Sequence, residues 1–251
     1  MLNAIRERGG KCVLIDPRRT ESVKYMDEHH FIRPHADALF LIGVIQTIFA
    51  KGLAKPGRMD GHINGWNEIE PLVNQFDMDR IAEVTTIPRA DIERIAVEFA
   101  SAERPVCYGR TGISMVQFAG LTQWLMQTLN VIVGSMDEIG GMMFPKPAIE
   151  SLPLTNSSWD TYRSRVRGRP EFSGEFPMAI LGEEILTPGE GQVRGLVGLA
   201  GNMVLSMADG KNSEKALQAL EFYVAVDPYL NETTRFADII LPPCGPLEKG
   251  H

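Results

Sequence analysis

Short, wholly apolar runs alternate along the chain with longer stretches in which apolar residues return every three to four positions. Leu2–Arg8 has the helical spacing and stops at Gly9-Gly10, a helix C-terminus; Cys12-Val13-Leu14-Ile15 follows as a short apolar strand. A strand apolar on both faces suits a parallel sheet covered by helices. Asp16-Pro17-Arg18-Arg19-Thr20 breaks it, and a turn region leads to a helix from about Ala36 to Ala50 with Leu39, Ile42, Ile45, Ile48 and Phe49 on its apolar face. Three helices are predicted next, Trp66–Gln75, Met78–Thr85 and Pro88–Ala102, the last with Ile92, Ile95, Ala96 and Phe99 on one side. Val106-Cys107-Tyr108 reads as a second strand closed by Gly109 and Gly112, and a long helix over 114–133 ends at Gly134.

From Gly140 to Gly191 the periodicity dissolves among Pro145, Pro147, Pro153, Pro170, Pro177 and Pro188, the pattern of a long surface connection. Regular structure then resumes: a strand Val193–Ala200, a turn at Gly201-Asn202, a helix Ser213–Leu220, a strand Phe222–Val226 and a third short strand Ile239-Ile240-Leu241. Alternation of this kind predicts an α/β fold with Rossmann-like parallel-sheet layers and helices on both faces. The organisation reads as a partial α/β unit over 1–57, a helical and α/β continuation over 58–144, an irregular connection over 145–191 and a second α/β unit over 192–251.

The first and last units are two pseudo-repeated halves. A shift of 211 residues lays Leu2–Arg8 on Ser213–Ala219 of the Ser213–Leu220 helix and Cys12–Ile15 on Tyr223–Val226, without a gap. Asp16-Pro17 then meets Asp227-Pro228, Glu21-Ser22 meets Glu232-Thr233, Tyr25 meets Phe236, and Asp27 meets Asp238. Ligands of open α/β sheets sit beyond the carboxyl ends of the strands, where an acid accepts hydrogen bonds from a ribose or a purine edge. Asp16 and Asp227 hold that position, although an Asp before Pro also caps an ordinary turn. Gly201-Asn202 stands where a glycine-bearing turn brings backbone N–H groups to a phosphate, or forms a plain β-turn. Subtracting 211 places its counterpart ahead of Met1, so the first copy is expected to lack its leading strand and to leave a sheet edge open.

Composition narrows the classes. With 44% hydrophobic and 23% charged residues the chain has the make-up of a soluble globular protein. Its longest apolar runs, around 38–50 and 113–133, are interrupted by Gln46, Gln117, Gln123, Gln127 and Asn130, so no membrane-spanning segment is predicted. The charged start Met1-Leu2-Asn3-Ala4-Ile5-Arg6-Glu7-Arg8 is no signal peptide and leaves cytoplasm and periplasm equally open. A net charge of −7 argues against nucleic acid as a partner. Cys12, Cys107 and Cys244 have no metal-ligand spacing, His29, His30 and His35 fit no structural zinc pattern, and Glu68, Glu70, Glu183 and Glu184 read as solvated faces.

The segment Leu2–Lys11 through Ile15-Asp16-Pro17-Arg18-Arg19-Thr20-Glu21 resembles the first guanosine-site region of the molybdopterin oxidoreductases, the dimethyl sulfoxide reductase and formate dehydrogenase family. Arg33-Pro34-His35-Ala36-Asp37-Ala38 is similar to that family's Arg-Pro-Gly-Thr-Asp-Ala element, with His35 and Ala36 in place of Gly and Thr. Gly109-Arg110-Thr111-Gly112 resembles its glycine-rich segment. Gly201-Asn202, with Met203 where proline is usual, followed by Asp227 and Asn231–Pro242, is similar to its second nucleotide site.

The resemblance implies a bis-molybdopterin guanine dinucleotide cofactor with molybdenum or tungsten. It implies a two-electron oxidoreductase of which this chain is a central, by itself inactive, portion. The partners implied are the N- and C-terminal parts of the same polypeptide and an electron-transfer subunit. The cluster cysteines for a [4Fe-4S] centre, and the residue that ligates the metal, are then expected outside these 251 residues. In this reading Asp37 and Asp227 accept from guanine N–H groups, and Asp16 lies near a ribose or guanine of the other dinucleotide. Arg18 and Arg19 offer planar donors to phosphate or base, or stand on a solvated turn. Asn202 and Thr233 supply phosphate or pterin contacts, or cap turns. Gly109, Gly112 and Gly201 allow close backbone approach. The rival classes are a non-catalytic nucleotide-binding module and an NAD-dependent dehydrogenase, the latter weakened because no G-x-G-x-x-G follows a strand.

Overall fold

The computed structural model describes residues 2–149, 158–245, 247 and 248, which fall into two units, 1–145 and 146–251. In the first unit α1 (Leu2–Glu7) leads to β1 (Val13–Ile15), then a 3-10 turn over Glu21–Tyr25 and β2 (Glu28–His30), which pairs with β1 in parallel. The helices α2 (Asp37–Ala50), α3 (Trp66–Val73), α4 (Met78–Thr85), α5 (Arg89–Ser101), α6 (Thr111–Ser114) and α7 (Ala119–Ile132) follow.

The spacing predicts one apolar face on α2, but α3, α4, α5 and α7 all pack on it, and Phe40, Leu41, Ile42, Val44, Ile45 and Ile48 are buried around nearly its whole girth. A helix apolar all round belongs in a core. Gly43 lets α4 and α5 approach closely, because a Cβ there would meet Ile81 Cγ2 and Ile92 Cγ2 at 3.2 Å. The helix starts and stops are local: Asp77 caps α4 by accepting from the Arg80 N–H at 2.7 Å, and Pro88 precedes α5.

The second unit holds β3 (Trp159–Arg163) antiparallel to β4 (Pro170–Phe172), then α8 (Leu181–Leu186), β5 (Gly195–Leu199), α9 (Met203–Ser206), α10 (Gly210–Ala219), β6 (Phe222–Val226) and β7 (Ile239–Ile240). The strands β5-β6-β7 form a parallel sheet in that order. Tyr223 and Ala225 face a small core with Met203 and Leu217. Gly198 makes room for the Tyr223 ring, whose hydroxyl would lie 2.9 Å from a Cβ there.

The 211-residue repeat holds in the backbone register. Val13 pairs with Glu28 and Leu14 with His29; Val224 pairs with Ile239 and Ala225 with Ile240. In each copy one Asp staples the strand pair. The Cys12 N–H donates to Asp27 Oδ2 at 2.8 Å while the Asp27 N–H donates back to the Cys12 carbonyl. Tyr223 and Asp238 repeat both bonds, the first again at 2.8 Å. A cation then sits over the aromatic ring of the intervening turn, Lys24 over Tyr25 and Arg235 over Phe236.

Several expectations change. Val106–Tyr108 is not a strand: the buried Asn130 side chain takes the place of a neighbouring strand, accepting from the Cys107 N–H and donating to its carbonyl, both at 2.8 Å. The helix expected over 114–133 is broken between α6 and α7 at Met115–Phe118. Part of the supposed irregular connection is ordered as β3, β4 and α8; its residues 150–157 lie outside the described residues. Glu184 is buried, not solvated: it accepts from the Val166 N–H at 2.9 Å and faces Arg165 at 3.4 Å.

Candidate functional site

Each unit gathers polar groups where its parallel strands end. In the second unit Ala200 donates to the Val226 carbonyl, so the chain leaving β5 runs beside the chain leaving β6. Gly201 and Asn202 follow the first strand and Asp227 the second. Asp227 is only 7% exposed, and its Oδ1 accepts from the Tyr229 N–H at 2.8 Å, an Asx turn that leaves Oδ2 without a donor among the described residues.

The Thr233 hydroxyl donates to Asn202 Oδ1 at 2.9 Å, and Asn202 Nδ2 donates to Glu232 Oε2 at 2.7 Å. Thr233 Oγ1 in turn accepts from the Val204 N–H at 3.0 Å. Asn231 accepts from the Thr233 and Thr234 N–H groups at 2.9 and 3.0 Å and shapes the loop. The bond from Asn202 holds the Glu232 carboxyl below its ordinary range. Among the described residues the N–H groups of Gly201 and Asn202 have no acceptor, and a Cβ on Gly201 would meet nothing closer than 3.8 Å.

In the first unit Asp16 repeats the Asx turn, accepting from the Arg18 N–H at 2.7 Å. Arg18 and Arg19 are exposed and form no ion pair among the described residues. Asp37 opens α2 half-buried; burial pushes its carboxyl up, the negative Asp16 nearby adds to this, and its own N–H and His35 oppose it. No side-chain donor reaches it among the described residues. His35, where the resembling element has glycine, still takes the left-handed conformation with φ 69°, and its Nδ1 accepts from the Gln117 N–H at 3.2 Å. That bond ties the segment after α6 to the start of α2.

Gly109 is filled from within, since a Cβ there would strike Ile113 Cδ1, whereas Gly112 faces open space. Among the described residues no group of three or more His, Cys, Asp or Glu is placed to hold a metal ion. His29 meets the Asp16 carbonyl and His30 meets Glu28.

The structure thus brings Gly201, Asn202, Asp227 and Thr233 to one edge of the second unit, and sets Asp16 near Asp37 in the first. It does not tie Gly109 or Gly112 to Asp16. Glu232 and Asn231 were missed as site residues, although Glu232 and Thr233 already stood in the repeated pattern as the counterparts of Glu21 and Ser22.

The family model for molybdopterin oxidoreductases matches residues 1–250. The chain belongs to the molybdopterin oxidoreductase family. Among curated proteins, this family member is 27% identical to the assimilatory nitrate reductase catalytic subunit of Bacillus subtilis, over 97% of the chain and 37% of the relative. It is 26% identical to the F420-dependent formate dehydrogenase 2 subunit alpha of Methanococcus maripaludis, over 94% of the chain and 37% of the relative. Among solved structures, acetylene hydratase from Pelobacter acetylenicus superposes with a TM-score of 0.77 at 23% identity, covering 96% of this chain and 37% of that one. At that identity the superposition speaks for the fold. This molybdopterin oxidoreductase chain spans 37% of the length of each of these relatives.

Proposed function

We propose that these residues form the dinucleotide-binding portion of a two-electron oxidoreductase that carries molybdenum or tungsten between two molybdopterin guanine dinucleotides. The donor and acceptor set fits that group. Asp227 Oδ2 and the Asp37 carboxylate, which no side-chain donor reaches among the described residues, suit guanine N–H donors, Arg18 and Arg19 suit phosphate, and the N–H groups of Gly201 and Asn202, without an acceptor among the described residues, suit an anion beside the uncrowded Gly201. The bound group supplies the redox chemistry at its metal, and the protein supplies binding and orientation. Asp16 and Asp227 each hold a turn with one carboxylate oxygen and offer the other to a ligand; Thr233 and Asn202 fix the loops around the second of these acids. The reductase and dehydrogenase names of the nitrate and formate relatives support the two-electron assignment.

The single observation that carries this reading is the buried Asp227 at the strand ends, with one oxygen spent on Tyr229 and the other without a donor among the described residues. A charge-assisted hydrogen bond is worth roughly 1.5–3 kcal/mol net. Asp227→Ala in the intact enzyme is therefore expected to weaken dinucleotide retention by about ten- to a hundredfold, measured as guanine and molybdenum or tungsten per polypeptide. Unchanged contents overturn the assignment. The 251 residues alone, at 37% of the length of the relatives, are expected to show no turnover and no stoichiometric metal. A [4Fe-4S] centre and an electron-transfer partner are proposed for the larger enzyme.

A further inference from the structure

Asn202 enters the reading above as a candidate ligand contact, yet both ends of its side-chain amide are spent inside the protein. Oδ1 accepts from the Thr233 hydroxyl at 2.9 Å, and Nδ2 donates to Glu232 at 2.7 Å. The directions are forced. The Thr233 hydroxyl has one proton, which goes to Asn202, and its oxygen is then free to accept from the Val204 N–H at 3.0 Å. An ionised Glu232 only accepts, so the amide can face it only with its nitrogen. The relay runs from the first turn of α9, through the loop after β6, back to the loop after β5, and ends on a carboxylate at the surface. A chain of hydrogen bonds with a charged terminus is stronger than its separate neutral members.

We propose that Glu232 is a positioning residue. Through the Asn202 amide it holds the loop after β5 on the loop after β6, and so aims the free Gly201 and Asn202 N–H groups at the ligand. Asn202 then acts through its backbone and not as a side-chain contact. A carboxylate beside a turn that is to meet an anion is unfavourable by charge alone; its bond to Asn202, helped by the nearby Arg235, offsets that by orienting the donors. This rests on the nucleotide reading for its purpose, but the clamp itself is tested without any ligand.

The experiment measures amide hydrogen exchange over residues 199–206 of the 251-residue chain, with GDP affinity by calorimetry as the second readout. Glu232→Ala is expected to speed exchange at Val204 by about tenfold and to weaken GDP binding. Glu232→Gln, whose amide oxygen still accepts from Asn202, is expected to restore both. Thr233→Ser is expected to be silent and Thr233→Val to behave like Glu232→Ala. The Glu232→Ala/Asn202→Ala double variant is expected to be no worse than Asn202→Ala alone, since both remove one relay. Unchanged exchange in Glu232→Ala, or losses that simply add in the double variant, overturn the clamp. If the unsubstituted chain binds no GDP while the exchange cycle is non-additive, the nucleotide reading falls and the clamp stands.

Discussion

On the proposed reading Asp227 and Asp16 each do two jobs, and the two carboxylate oxygens separate them. Oδ1 caps the local turn through the N–H two residues on, at 2.8 and 2.7 Å. The other oxygen is what a ligand would use. Asp227→Asn keeps an acceptor for the Tyr229 N–H but turns a donor towards the site. It is expected to leave the unfolding free energy within about 0.5 kcal/mol and to lower GDP affinity at least about tenfold, a split that denaturant titration and calorimetry resolve. Asp37 gives a pH signature. Its carboxyl is raised by burial and by Asp16, so the ionised acceptor is lost on acidification sooner than for an ordinary carboxylate. GDP affinity is expected to fall as pH drops through that raised value, and Asp37→Asn to abolish this dependence. The two acids were legible from the sequence because the repeat placed them at equivalent strand ends. Glu232 was not, because its part depends on a partner thirty residues upstream, a pairing that only the folded strand order creates.

Among the elements, the long periodic helices α2, α4 and α5 were readable to within a residue or two, because their apolar spacing is unambiguous. The short polar strand β2 was not, since Glu28-His29-His30 shows neither alternation nor an apolar run. Its signal lay in the repeat, which superimposes it on Ile239–Leu241. Its polarity is compensated by helix α5: Arg94 reaches Glu28 Oε2 at 2.8 Å, and Lys11 and His30 join the same carboxylate. Together they hold Glu28 down to about 2, with Arg94 the largest cause. A lowered acid stabilises the fold above its unfolded value and loses that contribution as pH falls through the folded one. The acid limb of stability between about pH 4.5 and about 2 is thus expected to flatten in Glu28→Gln, followed by thermal unfolding across that range. Val106–Tyr108 failed as a strand for the opposite reason: its apolar run was real, but a side chain and not a strand satisfies it. Asn130→Leu strands both polar groups of Cys107 and is expected to cost about 2–6 kcal/mol at roughly 1–3 per orphaned group, read from denaturant midpoints. Burial around the Cys107 thiol pushes it up to about 12, so this cysteine is expected to remain unmodified by thiolate-specific reagents at neutral pH.

Within the second unit, among the described residues, helices pack on one face of the parallel sheet. Tyr223 and Ala225 face its helices, while Val197 and Leu199, 65% and 71% exposed, line up with Phe222, Ile239 and Leu241 on the other face. An apolar area of this kind on an isolated chain favours association. Val197→Lys with Leu199→Glu is expected to reduce light scattering without lowering the thermal midpoint. The net charge of −7 is compatible with the proposed anion binding, because Arg18 and Arg19, exposed and without an ion pair among the described residues, stand at a strand end where local geometry outweighs a modest overall field. The repeated staple also bears on how the chain acquires its structure. In both copies the bond from strand to Asp closes a segment of only fifteen residues, and contacts so near in sequence form ahead of distant ones. The Cys12 and Tyr223 amides should therefore gain protection together in the earliest kinetic phase of refolding, each half carrying its own instructions for the turn on which a nucleotide would rest.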